Sequence, residues 1–458
     1  MLRRKAYDVL LEWKNDSARK PLVIKGQGQV GKTYLVRTFA SENYEHFVEF
    51  NFSLDEDVKY AFNGNLRVDD IIEGLSAYHN PNDFVPGKTL IFFDEIQDFP
   101  PAWTSLKSFA EDGRYDVIAS GSRLGIEMNI ERKGQKKLVP TGYQKIIELK
   151  VIDFEEYLWA NGMTETQTNS VIECLKSRRQ INPAIHKRVS SLFREYLITG
   201  GMPEIVQEYV TTKDVSKCHA LLNDLLLMCH QDINRYNTGV DKIKTAECFD
   251  SIPAQLSETN KKFMYSRVKG EGSRRSAEKY IDNLLWIKYS DLGIACYAVT
   301  QPAVPLVSNR ISNTFRMYLS DTGLLLHQYG LPAVAALRKE DYSYNCGAVI
   351  ENQIAVCLDS CGFQIYFYRK NDGPGKMELD FLIESYSGLI AVEVKSGKTR
   401  DAPSIRKLPK FFKTDHRVML EDAQYYLDDE GLEHFPLYAA AFFDKIWNQI
   451  PPEYNNIV

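Results

Sequence analysis

The strongest constraint on this 458-residue chain is one octapeptide, Gly26-Gln27-Gly28-Gln29-Val30-Gly31-Lys32-Thr33. It follows a short apolar run, Pro21-Leu22-Val23-Ile24-Lys25, and leads into Tyr34-Leu35-Val36-Arg37-Thr38-Phe39, whose apolar spacing is helical. Strand, glycine-rich turn and helix in that order, closed by Gly-Lys-Thr, form the G-x-x-x-x-G-K-T pattern in the setting it requires. The glycines let backbone N–H groups turn inward around phosphates, and the helix start adds the positive end of its dipole. On this reading Gly26, Gly28 and Gly31 shape the loop, Lys32 reaches the β- and γ-phosphates of ATP, and the Thr33 hydroxyl is a ligand of Mg²⁺.

A second segment supplies the partner. Thr89-Leu90-Ile91-Phe92-Phe93-Asp94-Glu95-Ile96-Gln97 is an apolar strand ending in two carboxylates. Asp94 is expected in the Mg²⁺ shell, and Glu95 is expected to polarise the attacking water. A third apolar strand, Asp116 to Ala119, ends in Ser120-Gly121-Ser122, where Ser120 either senses the γ-phosphate or belongs to a strand-ending turn. Strands and helices alternate from Leu22 to about Ile147, which implies an α/β parallel sheet with its ligand at the carboxyl ends of the strands. Hydrolysis also needs a cation for the transition-state charge, for which Arg114, Arg123, Arg132 or a group from a neighbouring subunit are the candidates.

These residues resemble prokaryotic AAA-type ATPases that carry a conserved domain of unknown function at the C-terminus. The matching pieces are Val30 to Arg37, Phe93-Asp94-Glu95-Ile96-Gln97, Ser120-Gly121-Ser122 with Leu124-Gly125, and Phe154-Glu155-Glu156-Tyr157-Leu158, and the resemblance extends over almost the whole chain. Relatives usually carry an arginine in the phosphate loop where this chain has Gly28, so any contact made by that arginine is missing here. The resemblance implies a P-loop NTPase domain over residues 1–150 and a helical lid or linker over 151–240. In the wider group of signal-transducing ATPases, a Gly-x-Pro turn lies on the adenine, a role that would fall on Gly201 and Pro203. The other reading of these two residues is a helix-ending glycine followed by a helix-starting proline.

Residues 241–330 resemble a winged helix in the order of their parts, with a helical Ser276 to Ile287 and a strand-like Ile294 to Val299. The stretch Lys261 to Lys279 holds seven cations, Lys261, Lys262, Arg267, Lys269, Arg274, Arg275 and Lys279, against Glu271 and Glu278. Such cations suit phosphate positioning along DNA, or a solvated loop facing an acidic protein surface. Phe315 to Leu325 also matches the family and is read as a structural junction.

The last segment, 331–458, has the order of parts of a PD-(D/E)xK, restriction-endonuclease-like α/β domain. A helix bearing Glu351 precedes a strand Ile365 to Tyr368, a strand Glu378 to Ile383 bearing Asp380, and a strand bearing Glu393-Val394-Lys395. Period-two spacing puts Glu393 and Lys395 on one strand face. Asp380 and Glu393 are hard-oxygen ligands for Mg²⁺, Glu351 joins from the helix, and Lys395 orients water or neutralises a phosphate. A basic run from Lys398 to Lys413, with Arg400, Arg406, Lys407 and Lys410, follows as a second possible path for DNA. Phe435 to Ala441 reads as a closing strand.

Composition sets the outer limits. The length corresponds to about three domains, and a net charge of −5 confines any nucleic-acid contact to local patches. Eight scattered cysteines without a C-x-x-C suggest reduced, buried thiols. The basic start Arg3-Arg4-Lys5 precedes no apolar core, and no run of about 18 apolar residues occurs. The expectation is a cytoplasmic, non-membrane ATPase, compatible with a homo-oligomer, whose nucleotide state is coupled to a winged helix and a nuclease-like domain acting on DNA. The alternative is a nucleotide-dependent switch whose C-terminal domain binds a protein or nucleic acid without cutting it.

Overall fold

The computed structural model describes residues 2–122, 142–237, 239–268, 280–339, 346–397 and 401–448. The chain divides into two compact units, Arg3–Val151 with Tyr289–Asp291, and Ile152–Lys288 with Leu292–Val458 and Met1–Leu2.

The first unit is built on five parallel strands: β1 (Leu22–Gly26), β2 (His46–Asn51), β3 (Thr89–Asp94), β4 (Asp116–Ser122) and β5 (Lys145–Glu148). Their order is β2-β3-β4-β1-β5. Every residue of β3 is buried, which explains why it reads as an uninterrupted apolar run. Helices Val68–Ser76 and Pro100–Asp112 cover one face, where Phe52, Phe62, Phe93 and Trp103 pack together. Strand β4 continues through Ser122, so Ser120 lies within the strand and not in a strand-ending turn. The phosphate-loop strand β1 and the carboxylate strand β3 are therefore separated by the strand that carries Ser120.

The second unit begins with helices Phe154–Ala160, Glu165–Lys176, Pro183–Thr199, Pro203–Thr212, Val215–Tyr236 and Val240–Leu256. An eight-stranded mixed sheet follows, in the order β12-β13-β11-β10-β9-β8-β6-β7. Its strands are β6 (Gly293–Val299), β7 (Arg310–Leu319), β8 (Tyr366–Lys370), β9 (Met377–Ser385), β10 (Gly388–Val394), β11 (His416–Glu421), β12 (Tyr426–Leu427) and β13 (Glu433–Pro436). Here the structure departs from the expected division at residue 330. The hairpin β6–β7, assigned from sequence to a winged helix, pairs through β6 with β8 and extends the same sheet as the C-terminal strands. The helix expected from Ser276 is described from Ile281 to Tyr289, and Ser276 to Lys279 lie outside the described residues. The closing strand is also shorter than expected: β13 stops at Pro436, and Leu437–Phe442 is a 3₁₀ helix. None of the eight cysteines is in a disulfide; Cys174 and Cys361 are half-buried, the others buried.

Two contacts set the register of the second unit. The Asn352 side chain accepts the Leu319 N–H at 2.8 Å and donates to the Leu319 carbonyl at 3.0 Å, tying helix Cys346–Ser360 to the end of β7. Buried Asp321 accepts the N–H groups of Gly201 at 2.8 Å and Leu324 at 2.9 Å. Gly200 ends its helix at φ +67°, and a Cβ there would lie 2.1 Å from Asp321 Oδ1. Gly200→Ala is expected to cost roughly 3 kcal/mol, because strained backbone and a clash with a buried carboxylate act together. Chemical denaturation of the full chain measures it, and a loss below about 1 kcal/mol would show that the turn relaxes freely.

Candidate nucleotide site and a C-terminal carboxylate centre

The loop between β1 and helix Lys32–Asn43 is shaped at three points. A Cβ on Gly26 would lie 2.2 Å from the Leu149 carbonyl oxygen, so the strand end tolerates no side chain. Gly31 sits at φ +88° immediately before the helix, where a left-handed residue lets the chain turn inward. Val30 is fully buried and anchors the loop, whereas Gly28 is exposed. The buried Lys32 ammonium donates to the carbonyls of Gly26 at 3.0 Å and Gln27 at 2.9 Å, which holds it inside the loop.

Asp94, at the end of β3, gathers the other groups. Its Oδ2 accepts from Thr33 Oγ1 at 3.1 Å and Asn51 Nδ2 at 3.2 Å, and its Oδ1 accepts from Ser120 Oγ. Lys32, Thr33, Asp94, Glu95 and Ser120 are thus brought together, with Asn51 added by the end of β2. Glu95 takes a left-handed backbone conformation (φ 53°) and accepts from the Gln97 amide. Burial pushes its carboxyl above the ordinary glutamate range, against the opposing influence of Gln97 and Lys32. Asn51 and Gln97 escaped the sequence reading. Gln97 stood within the quoted strand-end motif, but Asn51 belongs to a strand whose neighbour is fixed only by the sheet order.

Among the transition-state candidates, Arg114 does not reach the phosphate loop of its own chain. It precedes β4, at the opposite end of the strand from Ser120 and roughly 20 Å away at 3.3 Å per residue, and it is paired with Asp112 at 2.8 Å and Asp69 at 2.6 Å. Arg123 and Arg132 lie outside the described residues. The helix-ending glycine is Gly200, one residue before Gly201. Gly201 spends its N–H on Asp321 and its carbonyl on the Ile152 N–H at 2.7 Å, and Pro203 starts the next helix.

The second unit brings together Glu351, Asp380, Glu393 and Lys395, and adds residues that the sequence reading assigned elsewhere. Glu351 is buried; its Oε1 accepts from Tyr318 at 2.5 Å and Arg316 at 3.3 Å, and its Oε2 is paired with Lys261. Arg316, 1% exposed, also donates to Glu378 at 2.5 Å and approaches Asp380 Oδ1 at 3.9 Å. Asp380 lies within β9, and its Oδ2 accepts the Val394 N–H at 3.0 Å. Lys395 stands one residue beyond the end of β10 and donates to Glu393 Oε1 at 2.8 Å.

The charges divide unequally among the three carboxylates. Burial raises the carboxyl of Glu351, but Lys261 and Arg316 outweigh it and hold the group below the usual range. Burial and the Glu351 charge raise Asp380. Burial, then Asp380, push Glu393 up to about 7 against the pull of Lys395, consistent with a buried Oε2 that has no hydrogen-bond partner. Among the described residues, no group of three or more His, Cys, Asp or Glu side chains is placed to hold a metal ion. Lys261 and Arg316 occupy both oxygens of Glu351, so the expected Mg²⁺ ligands Asp380 and Glu393 are not joined by a third carboxylate from the helix.

Some cations of the two basic runs are paired within the chain. Lys261 is drawn to Glu351 and Arg267 is paired with Glu258, so neither is a free phosphate contact. Lys269, Arg274, Arg275 and Lys279 lie outside the described residues, as do Lys398 and Arg400. In the later run Arg406 binds Asp428 at 2.7 Å and Glu430 at 3.1 Å, Lys407 donates to the Lys376 carbonyl, and Lys410 and Lys413 are exposed. Arg316 was within reach of sequence reasoning as a cation inside the apolar Phe315-Arg316-Met317-Tyr318 run, a pattern that requires a buried counter-charge.

The parallel sheet, the phosphate loop on β1 and the carboxylates ending β3 define an α/β P-loop unit. Residues 18–158 match the family described as an AAA domain, and the segment is accordingly an AAA-type P-loop domain. Residues 190–335 and 346–439 match two families described as domains of unknown function, DUF8612 and DUF4143. Similar solved structures include a Walker-type ATPase of Pyrococcus abyssi, with 14% identity over 72% of this chain and 96% of that one and a TM-score of 0.43. The ORC2 protein of Aeropyrum pernix in ADPNP–ADP complexes shows 12% identity over 74% and 94%, with a TM-score of 0.36. Its ADP form shows 12% identity over 77% and 95%, with a TM-score of 0.29. No curated protein matches the chain. No helix among the described residues is long and apolar enough to cross a membrane.

Proposed function

We propose that the chain is a Mg²⁺-dependent ATPase. The observation that carries this reading is the convergence of Thr33, Asn51 and Ser120 on the Asp94 carboxylate, beside half-buried Glu95 and a loop-held Lys32. Thr33 Oγ1 and Asp94 Oδ2, 3.1 Å apart, are hard oxygens that suit Mg²⁺, which prefers one or two protein ligands with water and phosphate oxygens completing its shell. Bound there, Mg²⁺ would neutralise charge on the β- and γ-phosphates. Lys32 leaves its carbonyl partners for the phosphates, the loop N–H groups hold their oxygens, and Ser120 fixes the angle of Asp94. Glu95, once ionised, orients and polarises the attacking water. Lys32→Ala is expected to weaken ATP binding by about 10- to 100-fold, the range for losing a charged hydrogen bond. Titration with a fluorescent ATP analogue measures this, and unchanged affinity would remove Lys32 from the site.

For the C-terminal half we favour the non-cleaving alternative, in which it binds a partner, protein or DNA, under the influence of the nucleotide state. The engagement of Glu351 by Lys261, Arg316 and Tyr318 supports it, since a hydrolytic carboxylate centre needs oxygens free for a metal. Incubating the full chain with supercoiled plasmid, Mg²⁺ or Mn²⁺, with and without ATP, tests both halves at once. Phosphate release with intact DNA is the expected result, whereas cutting that disappears in Asp380→Ala would restore the nuclease reading. Size measurement with ATP present tests for a homo-oligomer in the same preparation.

A further inference from the structure

We infer that the Arg316 guanidinium takes the place of a divalent cation in the C-terminal carboxylate centre, so that the centre is closed by the chain's own charges and binds no metal. This rests on the non-cleaving reading and goes beyond it, naming what fills the centre. Arg316 faces Glu351 at 3.3 Å, Glu378 at 2.5 Å and Asp380 at 3.9 Å, so three carboxylates from one helix and one strand converge on a single buried cation. Its Nε has no hydrogen-bond partner, and its guanidinium carbon lies 4.3 Å from the centre of the Phe367 ring. Its two η nitrogens donate to Glu351, Glu378 and the Asp380 carbonyl at 3.4 Å, so the group is held by charge, hydrogen bonds and a π face together.

Geometry then opposes a second cation at Glu351. A divalent ion must come within about 2.0–2.6 Å of its oxygens, and Arg316 and Lys261 already stand against the two Glu351 oxygens. An ion between Glu351 and Asp380 would share that space with the guanidinium, its own charge repelled at close range. Lys261, from a separate element, adds a second positive charge on the far oxygen, and Lys395 a third beside Glu393. Lys261 and Arg316 face Glu351, Lys395 faces Glu393, Arg316 borders Asp380, and Arg369 sits 3.6 Å from Glu378.

The test counts Mn²⁺ bound to the nucleotide-free full chain, by electron paramagnetic resonance of the free ion. Wild type and an Asp380→Asn, Glu393→Gln double variant are expected to bind equal amounts, since any Mn²⁺ near the phosphate loop is common to both. One additional Mn²⁺ per chain in wild type would overturn the inference. If plasmid in the same tubes stays intact, the non-cleaving reading survives that result; if it is cut, both fall. Arg316→Met keeps most of the side-chain volume and removes the charge, and it is expected to gain one Mn²⁺ per chain. A folded Arg316→Met protein with no gain also overturns the inference, and should this variant fail to fold, the wild-type comparison alone decides.

Discussion

Glu95→Gln is expected to slow ATP hydrolysis by about 10²- to 10³-fold, the usual contribution of a positioned general base, while nucleotide affinity changes little. The substitution keeps the shape and the reach toward Gln97 but removes the charge that polarises water. The same residue sets a pH dependence. Burial raises its carboxyl, so the ionised, active form is lost at a higher pH than for an exposed glutamate, and the rate falls on acidification before ordinary carboxylates are protonated. Phosphate release measured across pH, with ATP binding followed in parallel, checks both points. A Glu95→Gln protein that hydrolyses at the wild-type rate would assign the base elsewhere.

Glu351→Ala is expected to destabilise the second unit by about 3–5 kcal/mol, the cost of leaving a buried charge without its partner. Here two cations are abandoned at once, Lys261 and the 1%-exposed Arg316, and the Tyr318 hydroxyl loses its acceptor. The pH dependence follows from the direction of the shift. Glu351 is held below the usual glutamate range, so its stabilisation is fully present above that range and disappears as pH falls through the lowered value. Acid unfolding of the wild type should therefore carry a component that Glu351→Ala lacks. Denaturant unfolding of the full chain at pH 7 and pH 4 measures it. A loss under 1 kcal/mol at pH 7 would mean that water reaches Lys261 and Arg316 freely.

These two predictions come from sites of very different legibility. The phosphate loop could be read because its parts are contiguous: eight residues hold the turn, the lysine and the hydroxyl, and their roles follow from local backbone geometry. Asp94 and Glu95 were equally readable, since a fully buried parallel strand leaves an unbroken apolar run that ends at its functional carboxylates. Strands β6, β8, β9 and β10 of the second unit were also visible by period and composition, whereas β7, β11 and β12 were not. What could not be read was that β6 and β7 would join β8, which gathers Arg316 and Tyr318 around Glu351.

The same residue types therefore acquire opposite meanings in the fold. Lys261 looked like a phosphate contact because it stands in a basic run, yet it is an internal counter-ion. Gly201 and Pro203 allowed two readings, and in the fold the Gly201 N–H binds Asp321 while Pro203 starts a helix. By itself the sequence determined the phosphate loop, its strand and helix, and the carboxylates that end β3, because these depend on neighbours within a few residues. Only the tertiary structure decided which charges meet in the second unit, because partners spread from Lys261 to Lys395 are selected by strand order and burial. Burial also sets how strongly they attract, which no spacing along the chain records.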